Sequence, residues 1–202
     1  MIPNSPGVLA QDIESITNEQ SYTEAEFTME EIMALEQYIS VNNEGLFIMN
    51  HTEAIADGVS IKLLEGQQGY LDYLNSEIKD GNLKVHKNLE IEDLELNLTN
   101  GGFSLLASCN GKSTAAETKL WGQTRKFNSC EADRFAADLA SVAAGSAGVG
   151  LVTAWIPGMG WAAAASTAYM SLYSSRVYAN NSNNTGVIID MTWAMVYNIT
   201  PQ

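Results

Sequence analysis

Leu139–Ser175 reads LASVAAGSAGVGLVTAWIPGMGWAAAASTAYMSLYSS, 37 consecutive residues without a formal charge in a chain of 202. Pro157–Gly158 falls near its centre, where a proline removes a helix hydrogen bond and a Pro-Gly pair marks a turn. The stretch and its flanks predict an Ala/Gly-rich helical hairpin over 131–178 that turns at Pro157. Each arm offers about 18 residues, at the lower edge of the ~17 to 25 that a membrane-spanning helix needs. Length permits insertion, whereas the Ala, Gly, Ser and Val of the first arm gain much less in hydrocarbon than Leu, Ile or Phe. Small residues recur every four positions, Ala136, Ala140, Ala144 and Gly148 in the first arm and Gly160, Ala164 and Ala168 in the second. Such stripes let helices approach closely, in bilayers and in soluble Ala-rich pairs alike. Two states stay open: a hairpin buried as soluble core, and a hairpin that enters a membrane.

Outward on the C-terminal side, the polar run from Asn180 to Gly186 is a loop, and the apolar Val187–Ile188–Ile189 directly after it opens a strand. Val187, Ile189, Met191, Trp193 and Met195 then share one face and Asp190, Thr192 and Ala194 the other. Outward on the N-terminal side, a strand holding Lys119, Leu120, Trp121, Thr124 and Phe127 is placed to pair with it antiparallel, under the hairpin. Phe103–Cys109 runs into that strand through the Asn110–Gly111 turn signal. Asn128 or Ser129 caps a helix that begins near Glu131, with Glu131 and Asp133 in the first turn, where the helix dipole favours anions. Cys109 and Cys130 are the only cysteines. In an exported protein a pair of this separation forms a disulfide worth ~3 kcal/mol on the chain-entropy model; in a cytosolic one the two are buried free thiols.

Toward the N-terminus the composition changes. Residues 1–107 hold 19 Asp/Glu against 4 Lys, whereas 108–202 hold 5 Asp/Glu against 6 Lys/Arg. A boundary near the Asn100–Gly101–Gly102 turn signal follows. The first 22 residues, with Pro3 and Pro6 and no periodic apolar face, read as a loose arm without a secretory core. Thr28 and Glu31 form a capping box for a helix from Met29 to Ser40 with Ile32, Leu35 and Ile39 on one face. Asn42–Gly45 is a turn before the short apolar run Leu46–Met49, and a short helix from Thr52 to Ala56 stops at Gly58. A long helix follows over Ser60–Lys79, although Gly66 and Gly69 inside it cost roughly 1 kcal/mol each against Ala. Val85, Leu89, Ile91, Leu94, Leu96 and Leu98 alternate with acidic positions as one strand. The expected class is α+β: an arm over 1–22, an acidic helix-and-strand subdomain over 23–100, and a subdomain over 101–202 in which an antiparallel β unit lies beneath the hairpin.

The inventory argues against an enzyme and a cofactor. No Gly-x-Ser-x-Gly, P-loop or His-Glu-x-x-His spacing is present, and His51 and His86 sit in an expected turn and strand edge. Two His and two Cys without a Cys-x-x-Cys pair leave no soft-ligand metal site, and the Glu run lacks calcium-loop spacing. A formal net charge of -14 disfavours nucleic acid as a partner.

Cys109, Trp121–Gly122, Arg125, Phe127, Ser129–Cys130, the Gly/Ala-rich hairpin and the closing Gly186–Val187–Ile188–Ile189 strand with Trp193 together resemble a family of small secreted proteins from Gram-positive bacteria, sometimes described as bacteriocin-like. The likeness covers about the last 95 residues. It departs at Leu120, where an aromatic often precedes the Trp-Gly, and at Asp190, where a basic residue often follows the Val-Ile-Ile run. The resemblance implies a secreted or cell-surface protein with its signal peptide removed, a Cys109–Cys130 disulfide, structural strands around Trp121, Gly122 and Trp193, and a membrane-active hairpin. Its expected partner is a target-cell membrane or surface protein. A secreted binding or structural module whose hairpin is only core is the alternative.

Overall fold

Val187, Ile189 and Met191 are buried on one side of their strand while Ile188 and Asp190 are half-buried on the other, the period of two that places a sheet between a core and a more polar face. A computed structural model describes residues 27–94, 109–145 and 167–202 together with the backbone of 19–20. Its elements are β1 (Glu19–Gln20), α1 (Met29–Met33), a 3-10 turn (Ala34–Tyr38), β2 (Ile39–Val41), β3 (Phe47–Met49), α2 (His51–Ala56), α3 (Ile61–Asp80), β4 (Leu83–Val85) and β5 (Ile91–Asp93). They continue as β6 (Glu117–Lys119), β7 (Gly122–Phe127), α4 (Ser129–Ala143), α5 (Thr167–Asn180), β8 (Val187–Thr192) and β9 (Tyr197–Pro201). The class is α+β, with a C-terminal antiparallel sheet in the order β1-β9-β8-β7-β6.

β7 and β8 pair antiparallel from Gly122↔Thr192 to Phe127↔Val187, the pairing expected of the two tryptophan segments. Both strands end sooner than alternation predicts. Leu120–Trp121 form a turn between β6 and β7, and the chain reverses again after Thr192, where Met195 takes φ 62°. The Thr192 hydroxyl holds that reversal by accepting from the Val196 amide at 3.0 Å. Trp193 and Met195 therefore leave the strand, and Val196–Pro201 returns as a partner for β8. Gly122 tolerates no side chain: its φ is 151°, and a Cβ there would overlap the Met191 carbonyl oxygen.

α4 and α5 cover the inward face of β7, β8 and β9. Phe127, Ala132, Phe135, Ala136, Leu139, Tyr169, Met170, Tyr173, Val177, Val187, Ile189 and Tyr197 share this core. The hairpin turn at Pro157, with Gly148, Gly160 and Ala164, lies outside the described residues. Of the remaining small-residue positions, Ala136 is fully buried and its carbonyl accepts from the Ser174 hydroxyl at 2.7 Å. Ala140 and Ala144 are exposed along a shallow groove beside Ser171, Ser174 and Ser175, and Ala168 is exposed as well. The reason is geometric: at 3.6 residues per turn a four-residue repeat drifts by about 40° each step. The buried set 132, 135, 136 and 139 follows the true helical period instead.

The acidic half departs from expectation in three places. The helix begun by the capping box, with Thr28 Oγ1 accepting from Glu31 N and Glu31 answering the Thr28 amide, gives way to the 3-10 turn. Ile39–Val41 is drawn instead into an antiparallel hairpin with Phe47–Met49, whose turn is held by Asn42 Oδ1 accepting from the amides of Glu44 and Leu46. The single strand expected over 85–98 is two, β4 and β5, folded back at Leu89 with φ 67°; positions 95–98 lie outside the described residues. Within the arm expected to be loose, Glu19 and Gln20 pair with Asn198 and Tyr197 at the edge of the C-terminal sheet.

α3 runs from Ile61 to Asp80 and ends at Gly81, whose φ of 81° is the left-handed conformation that stops a helix. Its buried face carries Leu63, Leu64, Gln67, Tyr70, Leu71 and Leu74. Those residues do not close a core by themselves. One cluster around α1 and α3 takes in Val196, Trp121, Trp193 and Ala194, and a second takes in Leu120 and Trp193. The Trp193 ring lies on Gly66, where a Cβ would overlap ring atoms Cη2 and Cζ3, whereas exposed Gly69 has nothing nearby. Opposite outcomes follow for two identical substitutions. In urea unfolding, Gly66→Ala loses about 1 to 3 kcal/mol by overpacking, while Gly69→Ala gains about 0.5 to 1 kcal/mol from helix propensity. A gain at Gly66 equal to that at Gly69 would show that the indole does not seat there.

Candidate functional site

Strand period two puts Gln123, Arg125 and Phe127 on the inward face of β7, beneath α4. Asn128 caps α4 by accepting the Glu131 amide on its side-chain oxygen at 2.9 Å. The helix phase then brings Glu131, Arg134 and Phe135 over β7. Together Arg125, Phe127, Glu131, Arg134 and Phe135 line a cleft of about 110 Å³. The Phe127 and Phe135 rings stack at 4.8 Å, and the Arg125 guanidinium carbon lies 4.5 Å above the Phe127 ring centroid, a cation-π arrangement.

Behind the cleft stands a cluster of phenols. Tyr173 meets Phe135 edge-on at 5.6 Å and stacks on Tyr197 at 4.4 Å, with Tyr169 at 5.7 Å from Tyr197. Tyr169 donates to the Met195 carbonyl at 2.9 Å. Among the described residues the hydroxyls of Tyr173 and Tyr197 are buried without a hydrogen-bond partner, and so are Arg125 Nε, Arg176 Nη1 and Gln123 Oε1. Burial, with Tyr169 and Tyr197 close by, pushes the Tyr173 phenol well up, and the Arg125 charge only partly opposes it. Burial likewise raises Tyr197. It lowers Arg125, against the pull of Glu131 and Tyr173.

The residues singled out by sequence occupy the two ends of this unit. At one end Cys109 and Cys130 are joined in a disulfide with Cα atoms 5.5 Å apart. Asn110 N donates to Ser129 Oγ and Ser129 N to Asn110 O, so the chain before β6 is tied to the first turn of α4. Buried Asn181 donates to Ser129 O and Asp133 Oδ1, both at 2.8 Å, and accepts the Gly186 amide at 3.0 Å. At the other end Trp193 N donates to Trp121 O at 3.0 Å, beside Gly122. Neither end lines the cleft. His51 pairs with Gln68 at 2.9 Å and His86 with Glu92 at 3.3 Å, both in the acidic half. Among the described residues no group of three or more His, Cys, Asp and Glu is placed to hold a metal. A period-two count back from apolar Phe127 is the signal that would have placed Arg125 inward; the phenols behind it depend on packing between α5 and β9, for which no local signal exists. No protein family, curated protein or solved structure matches the chain.

The phenols make the protein sensitive to alkali. Because their folded-state pKa values lie above the ordinary 10.0, and that of Tyr73 is pushed up to about 12 by burial, neutral phenol is favoured in the folded state. That contribution is complete below pH ~10 and is lost as pH rises through the folded values. An ultraviolet titration should show tyrosinate appearing late, together with loss of circular dichroism. Tyr173→Phe, which removes an unpartnered hydroxyl, should leave neutral-pH stability the same or higher. A Tyr173→Phe protein that is weaker at neutral pH would mean the hydroxyl is bonded.

Proposed function

We propose that this chain is an exported, non-catalytic binding module in which α4 and α5 serve as soluble core. One observation carries the reading: the apolar faces of both helices are spent against β7, β8 and β9, down to Phe135, Leu139, Tyr173 and Val177 at 2% exposure or less. Releasing them would uncover that face together with the unpartnered polar atoms beneath. The disulfide supports export, since such bonds persist in oxidising compartments. Native protein alkylated without reduction should gain no mass, and reduction should expose two thiols. Free alkylation of the native protein would remove the argument for a secreted or surface location.

A second reading, a membrane-active bacteriocin-like protein, is favoured by the uncharged run Leu139–Ser175 and the family resemblance. In it the acidic half escorts a hairpin that inserts into a target membrane, being itself repelled by anionic lipid. Among the described residues no helix is long and apolar enough to cross a membrane. Dye release from anionic and neutral liposomes separates the two, using the full chain and Ala144→Glu across acidic to neutral pH. The binding module releases no dye under any condition. Release by the full chain that Ala144→Glu abolishes would overturn it and establish insertion.

A further inference from the structure

The C-terminal sheet has two edges, and they are guarded differently. An open edge presents unpaired N–H and C=O groups that invite a second strand, and proteins blunt it with short strands, charge, proline or a cover. At one edge β6 is three residues long and carries Glu117 and Lys119, whose side chains pair at 3.0 Å. On the other side β9, Tyr-Asn-Ile-Thr-Pro over 197–201, is five residues long, uncharged and rich in strand-forming types. Pro201, which has no N–H, blunts only its last position. Among the described residues the cover over β9 is β1, two residues long.

The phase of the ladder fixes which backbone groups that cover meets. Thr192 N donates to Val196 O, and Gln202 N donates to Gly186 O. Both bonds fall in the β8–β9 register, so even-numbered positions of β9 turn their backbone groups to β8, while Tyr197 and Ile199 turn theirs to the edge. Gln20 stands opposite Tyr197 and Glu19 opposite Asn198. The Gln20 amide therefore faces β9, and that of Glu19 faces away. The Tyr197 and Ile199 side chains are buried in the core under the helices, and Asn198 and Thr200 are half-buried on the outer face.

We infer that the β9 edge is a self-association surface for a second copy of this chain, held shut by β1 of the same chain. Two β9 strands pair antiparallel about a two-fold axis at Ile199, where each copy exchanges both Ile199 backbone bonds with the other, and the two sheets run on as one. Such a pairing is the same on both copies and uses up the edge, so assembly stops at a dimer. Charge favours this partner. The net charge of -14 lies in the first half of the chain, whereas residues 108–202 hold 5 Asp/Glu against 6 Lys/Arg, so contact at β9 joins two nearly neutral halves. The inference adds a second copy as partner and does not rest on the binding-module reading.

The test is sedimentation of the full, disulfide-intact chain and its variants over a wide concentration range. The parent chain should be monomeric. Gln20→Pro removes the amide that meets Tyr197 and should drive dimerisation, tightening it about tenfold or more, the factor set by one or two edge hydrogen bonds. Glu19→Pro, whose lost amide points away from β9, should sediment like the parent. Adding Asn198→Lys and Thr200→Lys to the Gln20→Pro chain sets like charges opposite one another across the two-fold and should return it to monomer. Glu19→Gly combined with Gln20→Gly weakens the strap without proline and keeps the test decisive should Gln20→Pro fail to fold. A parent or Glu19→Pro chain that dimerises as tightly as Gln20→Pro, strap variants that stay monomeric, a dimer indifferent to the two lysines, or association that grows past a dimer would overturn the assignment.

Discussion

The seat of Trp193 on α3 is the contact on which the arrangement of the chain depends. Its ring rests on the bare backbone of Gly66, and its Nε1–H donates to Gln67 Oε1 at 2.8 Å. The other end of the Gln67 amide donates to Leu120 O at 2.9 Å, and the Tyr70 hydroxyl sits 2.9 Å from Gly122 O. One face of α3 thus satisfies backbone carbonyls at the β6–β7 turn and holds the tryptophan that follows β8. Gln67 is 1% exposed, and its bond to Leu120 O and that of Tyr70 to Gly122 O are buried, where a missing partner costs about 1 to 3 kcal/mol. The acidic half is ordered against the ends of the C-terminal sheet, and its apolar clusters are completed by residues from beyond position 119.

The interior between sheet and helices follows a different logic. Five aromatic rings, those of Phe127, Phe135, Tyr169, Tyr173 and Tyr197, pack in stacked and edge-on pairs. Such pairs add about 0.5 to 1.5 kcal/mol beyond area burial. Phenylalanine would supply nearly all of that. The hydroxyls of Tyr173 and Tyr197 subtract from it, since they were stripped of water without gaining a partner. Polar atoms left open in this way gather on the side of the sheet that carries Arg125, and they are absent from the α3 junction, where every inward amide and hydroxyl named above is met. A fold optimised for stability alone would have the two regions alike.

Local features were legible because their causes are local. The Thr28–Glu31 box, the Asn128 cap, the Gly81 stop and the alternation of Val187, Ile189 and Met191 each involve residues within a few positions of one another. What escaped was set by distant partners. Gly66 reads as a helix weakness until Trp193, more than a hundred positions away, is placed against it. Leu120 and Trp121 have good strand propensity, yet they turn because Gln67 of α3 takes the Leu120 carbonyl, the Trp193 amide takes that of Trp121, and Gly122 allows β7 to approach Met191. Ile39–Val41 continues a plausible helical face, and pairing with Phe47–Met49 overrides it, with Asn75 bonding both the amide and the carbonyl of Phe47. The cleft was not read from the sequence: alternation from Phe127 is enough to turn Arg125 inward, but nothing near it in sequence announces that its Nε would lack a partner.

The described parts of the helix pair are fastened to the sheet as well as packed on it. At the start of α4 and the end of α5 converge the disulfide, the reciprocal Asn110–Ser129 bonds, the three bonds of Asn181, and Gln202, whose side chain bonds Lys112 O and Phe127 O. Nearer the other end of the described part of α5, the Tyr169 hydroxyl donates to the Met195 carbonyl at 2.9 Å. The first turn of α4 and the last turn of α5 can therefore part from the sheet only by breaking a covalent link and buried polar links together, and a buried group that loses its partner costs about 1 to 3 kcal/mol. Polar ties of this kind fix which residues of the helices meet the strands, whereas the apolar contacts alone would tolerate a shift, so the disulfide and Asn181 set the register in which Phe135 and Tyr173 pack.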